Sequence, residues 1–549
     1  MNEKPLKIAL IQLTRIGDLV QTMQAARQFR GENPNIELTL IARKKFAGGI
    51  TFLLETVFDH IVMFDTKDFF AKKSLKDAQV TLGNFVYDLN KNEFDVCVNL
   101  SYTKSASYLN SLINCQLRLG PYRNEAAEIS INDNWSQYIF SNVLDHNLTP
   151  FNLVDLYRFV LGCQDVHTLN DDASYVRQKH IVVHPFASQK KKRWGFSKWS
   201  ELIYKLLKDH PEHEVHIVGG TEDQTEAKRI IESPALSIYT ERIFNRTQDA
   251  SLAKTYELLL TTELFIGHDS VVSHLAAETL TSSIVLSLGS VKPFETNAYS
   301  NKVINIVPRN GCYPCKTTER CETLPCHSSI NHQLVAQIAH GVLGGQEITE
   351  KYLKTNINSF QLDSVDIYGS IYNSHGLDLL PITQNYKNIE NVFKDFYKVV
   401  FQCFLRDHDL NCSIPEISRE TAAKLNHYRD GAQYLIEIYN FGVKFSNKII
   451  TECEQPEPNI NTINGFISKI TELDQMASIT RKSYPLLSGI IDYVYTHKAN
   501  VVGENIHAIC KDNLVTFYDG ANLSAVMLEF IDKAIAPYIA QKPTMDKEV

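Results

Sequence analysis

The stretch Gly267-His268-Asp269-Ser270-Val271-Val272-Ser273-His274-Leu275-Ala276-Ala277-Glu278 follows a short apolar run, Leu264-Phe265-Ile266. It reads as a strand, a polar turn and the start of a helix. The first amides of a helix have no internal partner, and the helix dipole adds partial positive charge there. Such a turn can therefore hold an anion such as a diphosphate. Asp269 repels phosphate, but it could accept hydrogen bonds from sugar hydroxyls beside it. Asp and Ser are also ordinary N-caps, so the same residues fit a purely structural helix start. A second junction of this kind stands near the N-terminus. Lys7-Ile8-Ala9-Leu10-Ile11-Gln12-Leu13 runs into Thr14-Arg15-Ile16-Gly17-Asp18-Leu19-Val20-Gln21-Thr22. Gly17 allows the turn, and Asp18 is a carboxylate at a helix start, a fit position for a general base. An N-cap is again the structural alternative.

Ligands gather at the carboxyl ends of parallel strands, and buried parallel strands are near-continuous apolar runs. Two strand–turn–helix junctions far apart in the chain predict an α/β protein with two doubly wound domains facing a cleft. Strands are expected at residues 8–13, 38–42, 61–64, 96–100 and 118–120, then at 180–184, 215–218, 264–266, 283–287 and 303–307. Asp171-Asp172-Ala173-Ser174 is polar and reads as the linker, and Gly341-Val342-Leu343-Gly344-Gly345 marks a break. The expected domains are therefore 1–172, 173–348 and 349–549. The last has no strand–Gly–helix junction, and residues 391–405, 417–440 and 463–480 read as amphipathic helices. Tyr434, Tyr439 and Phe441 read there as helix-core residues.

Cys312, Cys315, Cys321 and Cys326 form C-x2-C-x5-C-x4-C. Four thiols so close could ligate zinc tetrahedrally, or iron. A metal-free loop and disulfides are the alternatives, and His327 could replace one thiol. The other cysteines are scattered, which suits a reducing compartment.

Arg15-Ile16-Gly17-Asp18-Leu19-Val20-Gln21-Thr22 resembles the N-terminal signature of the glycosyltransferase family 9 heptosyltransferases, two-domain enzymes of the GT-B fold. His268-Asp269-Ser270-Val271-Val272-Ser273-His274-Leu275-Ala276-Ala277 resembles that family's C-domain motif, with Val271 where a small residue is usual. His184-Pro185-Phe186-Ala187-Ser188, ending in Lys192-Arg193-Trp194, and Val215-His216-Ile217-Val218-Gly219-Gly220-Thr221-Glu222 are two further similarities. The four motifs stand in family order over roughly residues 5–345. The resemblance implies two Rossmann-like domains and an inverting transfer from a nucleotide sugar, ADP-heptose, to a hydroxyl of a glycan or protein acceptor. Asp18 would be the general base. Ser188 and Lys192 would meet the donor phosphates, with Ser270, Val271 and His274 in the same motif. Asp269 would orient the sugar, and Glu222 would take the ribose hydroxyls. Within Lys190-Lys191-Lys192-Arg193, cations can stabilise the leaving diphosphate, so no catalytic metal is expected. A solvated run of charge is the plainer account of that cluster. The cysteine loop resembles that of a branch that heptosylates autotransporter proteins, holds iron and oligomerises. A structural Zn or Fe and a homo-oligomer are therefore expected.

Composition bounds these readings. The chain has 549 residues, 44% hydrophobic, with net charge −8. That is too long for one core, and ordinary for a globular protein rather than a nucleic-acid binder. No apolar run reaches the roughly 18 residues of a membrane span. No targeting segment is apparent, and a cytoplasmic enzyme is expected. A non-catalytic scaffold of GT-B shape, or an enzyme using a UDP- or GDP-sugar, would fit the same architecture.

Overall fold

The computed structural model describes residues 4–70, 74–166, 175–249, 251–316, 321–383, 388–406 and 415–539. The linker expected at Asp171-Asp172-Ala173-Ser174 lies outside them. The chain forms two compact units, one of Met1–Arg118 with Phe151–Gln384, the other of Leu119–Pro150 with Asn385–Val549.

The first unit begins with β1 (Leu6–Gln12), β2 (Ile36–Arg43), β3 (His60–Phe64), β4 (Val96–Asn99) and β5 (Leu117–Leu119). Their order is β3-β2-β1-β4-β5, and β1 lies parallel to both β2 and β4. Ile8, Ala9, Leu10 and Ile11 of β1 are all buried. Successive strand residues point to opposite faces, so both faces of this sheet are covered. Two short strands, β6 (Tyr122–Arg123) and β7 (Ile129–Ser130), pair as an antiparallel ribbon in the other unit.

The second sheet holds β8 (Gln178–His184), β9 (Glu214–Ile217), β10 (Ile243–Asn245), β11 (Thr262–His268), β12 (Ser282–Leu286), β13 (Val303–Pro308), β14 (Val365–Asn373) and β15 (Gly376–Pro381). Their order is β10-β9-β8-β11-β12-β13-β14-β15. The first six strands are parallel and doubly wound, while β14 and β15 add an antiparallel hairpin at the edge. Strand order reverses at β1/β4 and at β8/β11, the switch points where open α/β sheets bind ligands. The fold is mixed α/β, with two doubly wound sheets as expected and a large helical region.

Helix Phe196–Asp209 is amphipathic and buries Trp199, Leu202, Ile203, Leu206 and Leu207 against Ile181, Val183, Val215 and Ile217 of the sheet. Trp194 and Trp199 meet edge to face, with ring centroids 5.3 Å apart. An ion pair fixes the hairpin. Arg158 Nη1 lies 2.7 Å from Asp155 Oδ1, both side chains buried, and Asp155 also accepts from Tyr299 Oη at 2.6 Å and Leu377 N–H at 2.9 Å. The chain can pass this close only because residue 376 is glycine, at φ 148°, where an added Cβ would lie 2.2 Å from Asp155 Oδ1.

The second unit is built on helices Ile389–Arg406, Arg419–Cys453, Ile460–Ser483, Ser488–Ala499 and Ile506–Ile539. Two reciprocal glycines let the longest pair close up. An added Cβ at Gly442 would lie 2.5 Å from Phe517, and one at Gly520 would lie 2.9 Å from Tyr439.

Several elements differ from the sequence-based expectations. Residues 119–150, inside the expected first domain, group with the helical unit, and the second sheet continues to Pro381, past the boundary at 348. Of the expected helix-core aromatics, Tyr439 is buried, whereas Tyr434 and Phe441 are 51% and 48% exposed, because they lie on the solvent side of the helix, where Tyr434 is covered only in part by the Tyr484 ring. Helix Ile506–Ile539 is long and apolar enough, by length and composition, to cross a membrane, contrary to the expectation that no segment would be. Its Phe517, Leu523, Met527 and Ile531 are buried within the unit, as in the core helix of a bundle.

Candidate functional site

Asp18 lies in the first turn of helix Ile16–Glu32, directly after the β1 switch point. Its Oδ2 accepts the Arg15 N–H at 3.0 Å, so the capping interaction is present, and Oδ1 is the remaining carboxylate oxygen. Gln12, fully buried at the end of β1, organises this turn. Its amide donates to Thr22 Oγ1 at 3.1 Å and to the Leu100 carbonyl at 3.2 Å, and its Oε1 accepts from Thr14 N–H at 3.2 Å. Burial and the charge of Asp18 together push the nearby Tyr157 phenol up, so it stays protonated.

His274, on helix Val271–Glu278, meets this turn. An added Cβ at Gly17 would lie 3.2 Å from His274 Cδ2, so residue 17 has space for little beyond hydrogen. The imidazole is buried, which lowers its pKa against the opposing pull of Asp269, Asp18 and Glu278. Its Nδ1 has no hydrogen-bond partner among the described residues. One neutral ring thus stands between the expected base and the expected donor motif.

The helices carrying the two motifs are also tied together. Glu278, at the end of helix Val271–Glu278, accepts from Arg27 Nη2 at 2.7 Å and from Gln24 Nε2 at 2.8 Å, both on helix Ile16–Glu32. No local feature of the sequence pointed to this pairing.

At the other end of helix Val271–Glu278, Ser270 is the N-cap residue, and Val271 opens the first turn. Ser270 Oγ lies 3.1 Å from His184 Nδ1, at the end of β8. Lys192 Nζ comes within 3.9 Å of Asp269 Oδ2, both side chains mostly buried, and Thr296 Oγ1 donates to the same oxygen at 3.3 Å. An ammonium beside a helix N-terminus is an anion-binding arrangement. His184 and His268 are fully buried, and desolvation brings each down to about 3, so both rings are neutral at pH 7. His268 Nε2 accordingly accepts the Trp194 N–H at 3.0 Å, which fixes the turn bearing Lys192.

Two expected residues stand apart from this group. Ser188 is exposed at the bend after β8. Glu222 is exposed, and its carboxyl folds over Gly220. The next acid, Asp223, is the buried one. It accepts the Gly220 N–H at 3.0 Å and lies 3.8 Å from Arg193. A cavity of about 150 Å³ opens nearby, lined by Val218, Arg246, Lys254, Thr255 and Leu258.

The cysteine loop is bolted to the Lys192 turn. Lys191 Nζ donates to the Lys316 carbonyl at 2.7 Å, His327 Nε2 lies 2.9 Å from the Lys191 carbonyl, and Cys315 N–H donates to Gly289 at 3.0 Å. Residues 317–320 lie outside the described residues. The sulfurs of Cys312, Cys315, Cys321 and Cys326 are close enough to influence one another's ionisation, yet no three come mutually within 4.8 Å. A tetrahedral thiolate site needs sulfurs closer than this, roughly 3.8 Å apart for metal–sulfur bonds of about 2.3 Å.

Residues 85–324 match the family model described as glycosyltransferase family 9 (heptosyltransferase). The curated lipopolysaccharide heptosyltransferase 1 of Campylobacter coli is 21% identical over 322 residues, 55% of this chain and 89% of that protein. Among solved structures, E. coli heptosyltransferase WaaC with ADP is 14% identical, with a TM-score of 0.47, over 61% of this chain and all of that one. The iron-containing dodecameric glycosyltransferase TibC of enterotoxigenic E. coli is 14% identical, with a TM-score of 0.35, over 62% of this chain and 76% of that one. The chain is heptosyltransferase-like, with its glycosyltransferase family 9 match over residues 85–324, and these similarities indicate a glycosyltransferase.

Proposed function

We propose that this family 9 glycosyltransferase transfers heptose from ADP-heptose to a hydroxyl of a glycan or protein acceptor, with inversion, in the cytoplasm. The observation that carries the reading is the meeting of two switch points. Gly17 abuts His274, whose ionisation Asp18 influences, while Lys192 and the N-terminus of helix Val271–Glu278 converge at Asp269. The donor diphosphate lies against Lys192, Ser270 and Val271, with Ser188 as a further hydroxyl at the loop edge. The cavity beside β9 takes the nucleoside, and Glu222 reaches its ribose. Asp269 orients the transferred sugar.

In the reaction Asp18 takes the proton of the acceptor hydroxyl. The oxygen forms its bond to the anomeric carbon as the bond to the phosphate oxygen breaks. The nucleoside diphosphate leaves with that electron pair, stabilised by Lys192 and the helix amides. One carboxylate suffices, because a diphosphate leaving group needs little protonation. No catalytic metal takes part. The sulfurs as placed do not fit a metal, so drawing the four thiols together around Zn or Fe requires the loop to tighten. That metal would be structural and would brace the Lys192 turn. The helical unit serves acceptor binding or self-association. The scatter of the cysteines outside the 312–326 loop suits a reducing compartment.

A non-catalytic scaffold has one observation in its favour, the use of Asp18 as a cap on Arg15. Calorimetry separates the readings. ADP-heptose, UDP-glucose and GDP-mannose are titrated into wild type and Asp18→Asn, and transfer is followed by nucleotide release. Selective binding of ADP-heptose, retained in Asp18→Asn while release stops, supports the enzyme. Binding of another donor discards the sugar, and no binding at all favours the scaffold.

A further inference from the structure

At the opposite end of the second sheet, His180, Glu214 and His216 place one ligand atom each within 4.8 Å of one another. Among the described residues this is the one group of three His, Cys, Asp or Glu side chains so arranged. Strand register creates it. His180 of β8 is paired with Glu214 of β9, and Val182 with His216, so all three side chains leave the same face of a parallel pair. His180 is four residues before His184, which puts the group roughly 13 Å from the donor end of β8.

The geometry points to a binding site here for a first-row divalent cation such as Zn²⁺, held by His180 Nε2, Glu214 Oε2 and His216 Nε2. His180 Nε2 lies 3.5 Å from Glu214 Oε2, and His216 Nε2 lies 3.6 Å from the same oxygen. Those separations are close to the roughly 3.4 Å edge of a tetrahedral site with bonds of about 2.1 Å. Imidazole and carboxylate are the donor set that suits zinc and its neighbours rather than magnesium or calcium. A second observation favours a ligand. His216 is only 2% exposed, yet its Nε2 has no hydrogen-bond partner among the described residues and lies 3.6 Å from Glu214 Oε2. A buried polar atom left this way costs free energy, which a metal bond would remove. Glu214, 42% exposed, leaves the site open to solvent for entry and for a fourth ligand.

The surroundings are mixed in charge. Arg246 Nε donates to His216 Nδ1 at 3.2 Å, with its guanidinium 5.2 Å from the Phe244 ring, and His213 faces His180. Metal binding at Nε2 shifts the ring proton to Nδ1, so the Arg246 bond gives way while the guanidinium keeps its place over the ring. Burial, helped by the Arg246 guanidinium, lowers the pKa of both imidazoles and so favours the neutral form that binds metal. The ion would staple β8 to β9, whose far ends carry the Lys192 loop and Gly220. It would act on stability and on the order of that loop, with no part in the chemistry.

Co²⁺ titration of the full-length, metal-stripped protein tests this, because its visible absorption distinguishes nitrogen and oxygen ligands from thiolates. The background is the variant with Cys312, Cys315, Cys321 and Cys326 all changed to Ser, which removes the competing sulfur set. The expected result is one equivalent of Co²⁺ with a nitrogen/oxygen spectrum, displaced by Zn²⁺. Glu214→Gln, a half-exposed change that leaves the core intact, should weaken binding about tenfold or more. His216→Ala should abolish it, with folding checked by circular dichroism. Absence of a nitrogen/oxygen-type ion in the four-serine background, or its survival unchanged in Glu214→Gln, would overturn the assignment.

Discussion

In the proposed reaction Asp18 serves two roles. One oxygen holds the Arg15 amide and thereby aims the side chain, and the other is left for a proton. Asparagine keeps the cap and removes the base. Asp18→Asn is therefore expected to lower transfer by about 10²–10⁴-fold with donor affinity nearly unchanged, read by nucleotide release and calorimetry. Lys192→Ala removes the ammonium beside the helix N-terminus, so donor binding should weaken and transfer slow. Unchanged values for both would take Lys192 out of the site. His184 and His268 carry the pH prediction. Their folded values, about 3, lie below the ordinary histidine value, so the unfolded chain binds more protons. Stability is complete above about pH 6.5 and falls as pH drops toward 3, each ring contributing at most about 1.4 kcal/mol per pH unit. Denaturant melts between pH 7 and 4 measure this slope.

At the scale of elements, the pairing of helix Ile16–Glu32 with helix Val271–Glu278 decides whether the two motifs meet. Glu278 is the buried end of that tie, while Arg27 remains partly exposed. Glu278→Ala strands the buried Gln24 amide and the partly exposed Arg27 guanidinium, and about 1–3 kcal/mol of destabilisation is expected in denaturant melts. A wild-type melt would show that the tie contributes nothing. The β14–β15 hairpin was not foreseen, because an antiparallel edge leaves no strand–turn–helix junction to find. Asp155 and the close approach at Gly376 hold it on the sheet instead.

For the molecule as a whole, the cysteine loop is tied to the Lys192 turn, the proposed donor side, through Lys191 and His327. If the loop holds Zn or Fe, the double change Cys312→Ser and Cys315→Ser should lose the metal, lower the melting temperature and loosen donor binding. Elemental analysis beside a thermal melt checks this, and full metal retention would remove these ligands. The helical unit has a different logic. Its two longest helices approach through glycine against aromatic ring, at Gly442 with Phe517 and Gly520 with Tyr439. Contacts between residues so far apart in the chain are invisible to a local pattern.

The sequence by itself determined the central parallel strands, the turns that end them and the identity of the groups offered at each turn. An apolar run ending in Gly, Asp or Ser is a local signal with local causes: burial of both strand faces and capping of orphan amides. Lys7 to Thr22 and Leu264 to Glu278 were legible for that reason. Tertiary structure alone decided which of those groups meet. It set His274 against Gly17, buried Asp223 in place of Glu222, and assigned residues 119–150 to the helical unit. It also aligned His180, Glu214 and His216. Each outcome depends on strand register or helix packing between distant segments, where burial and close approach outweigh local preference.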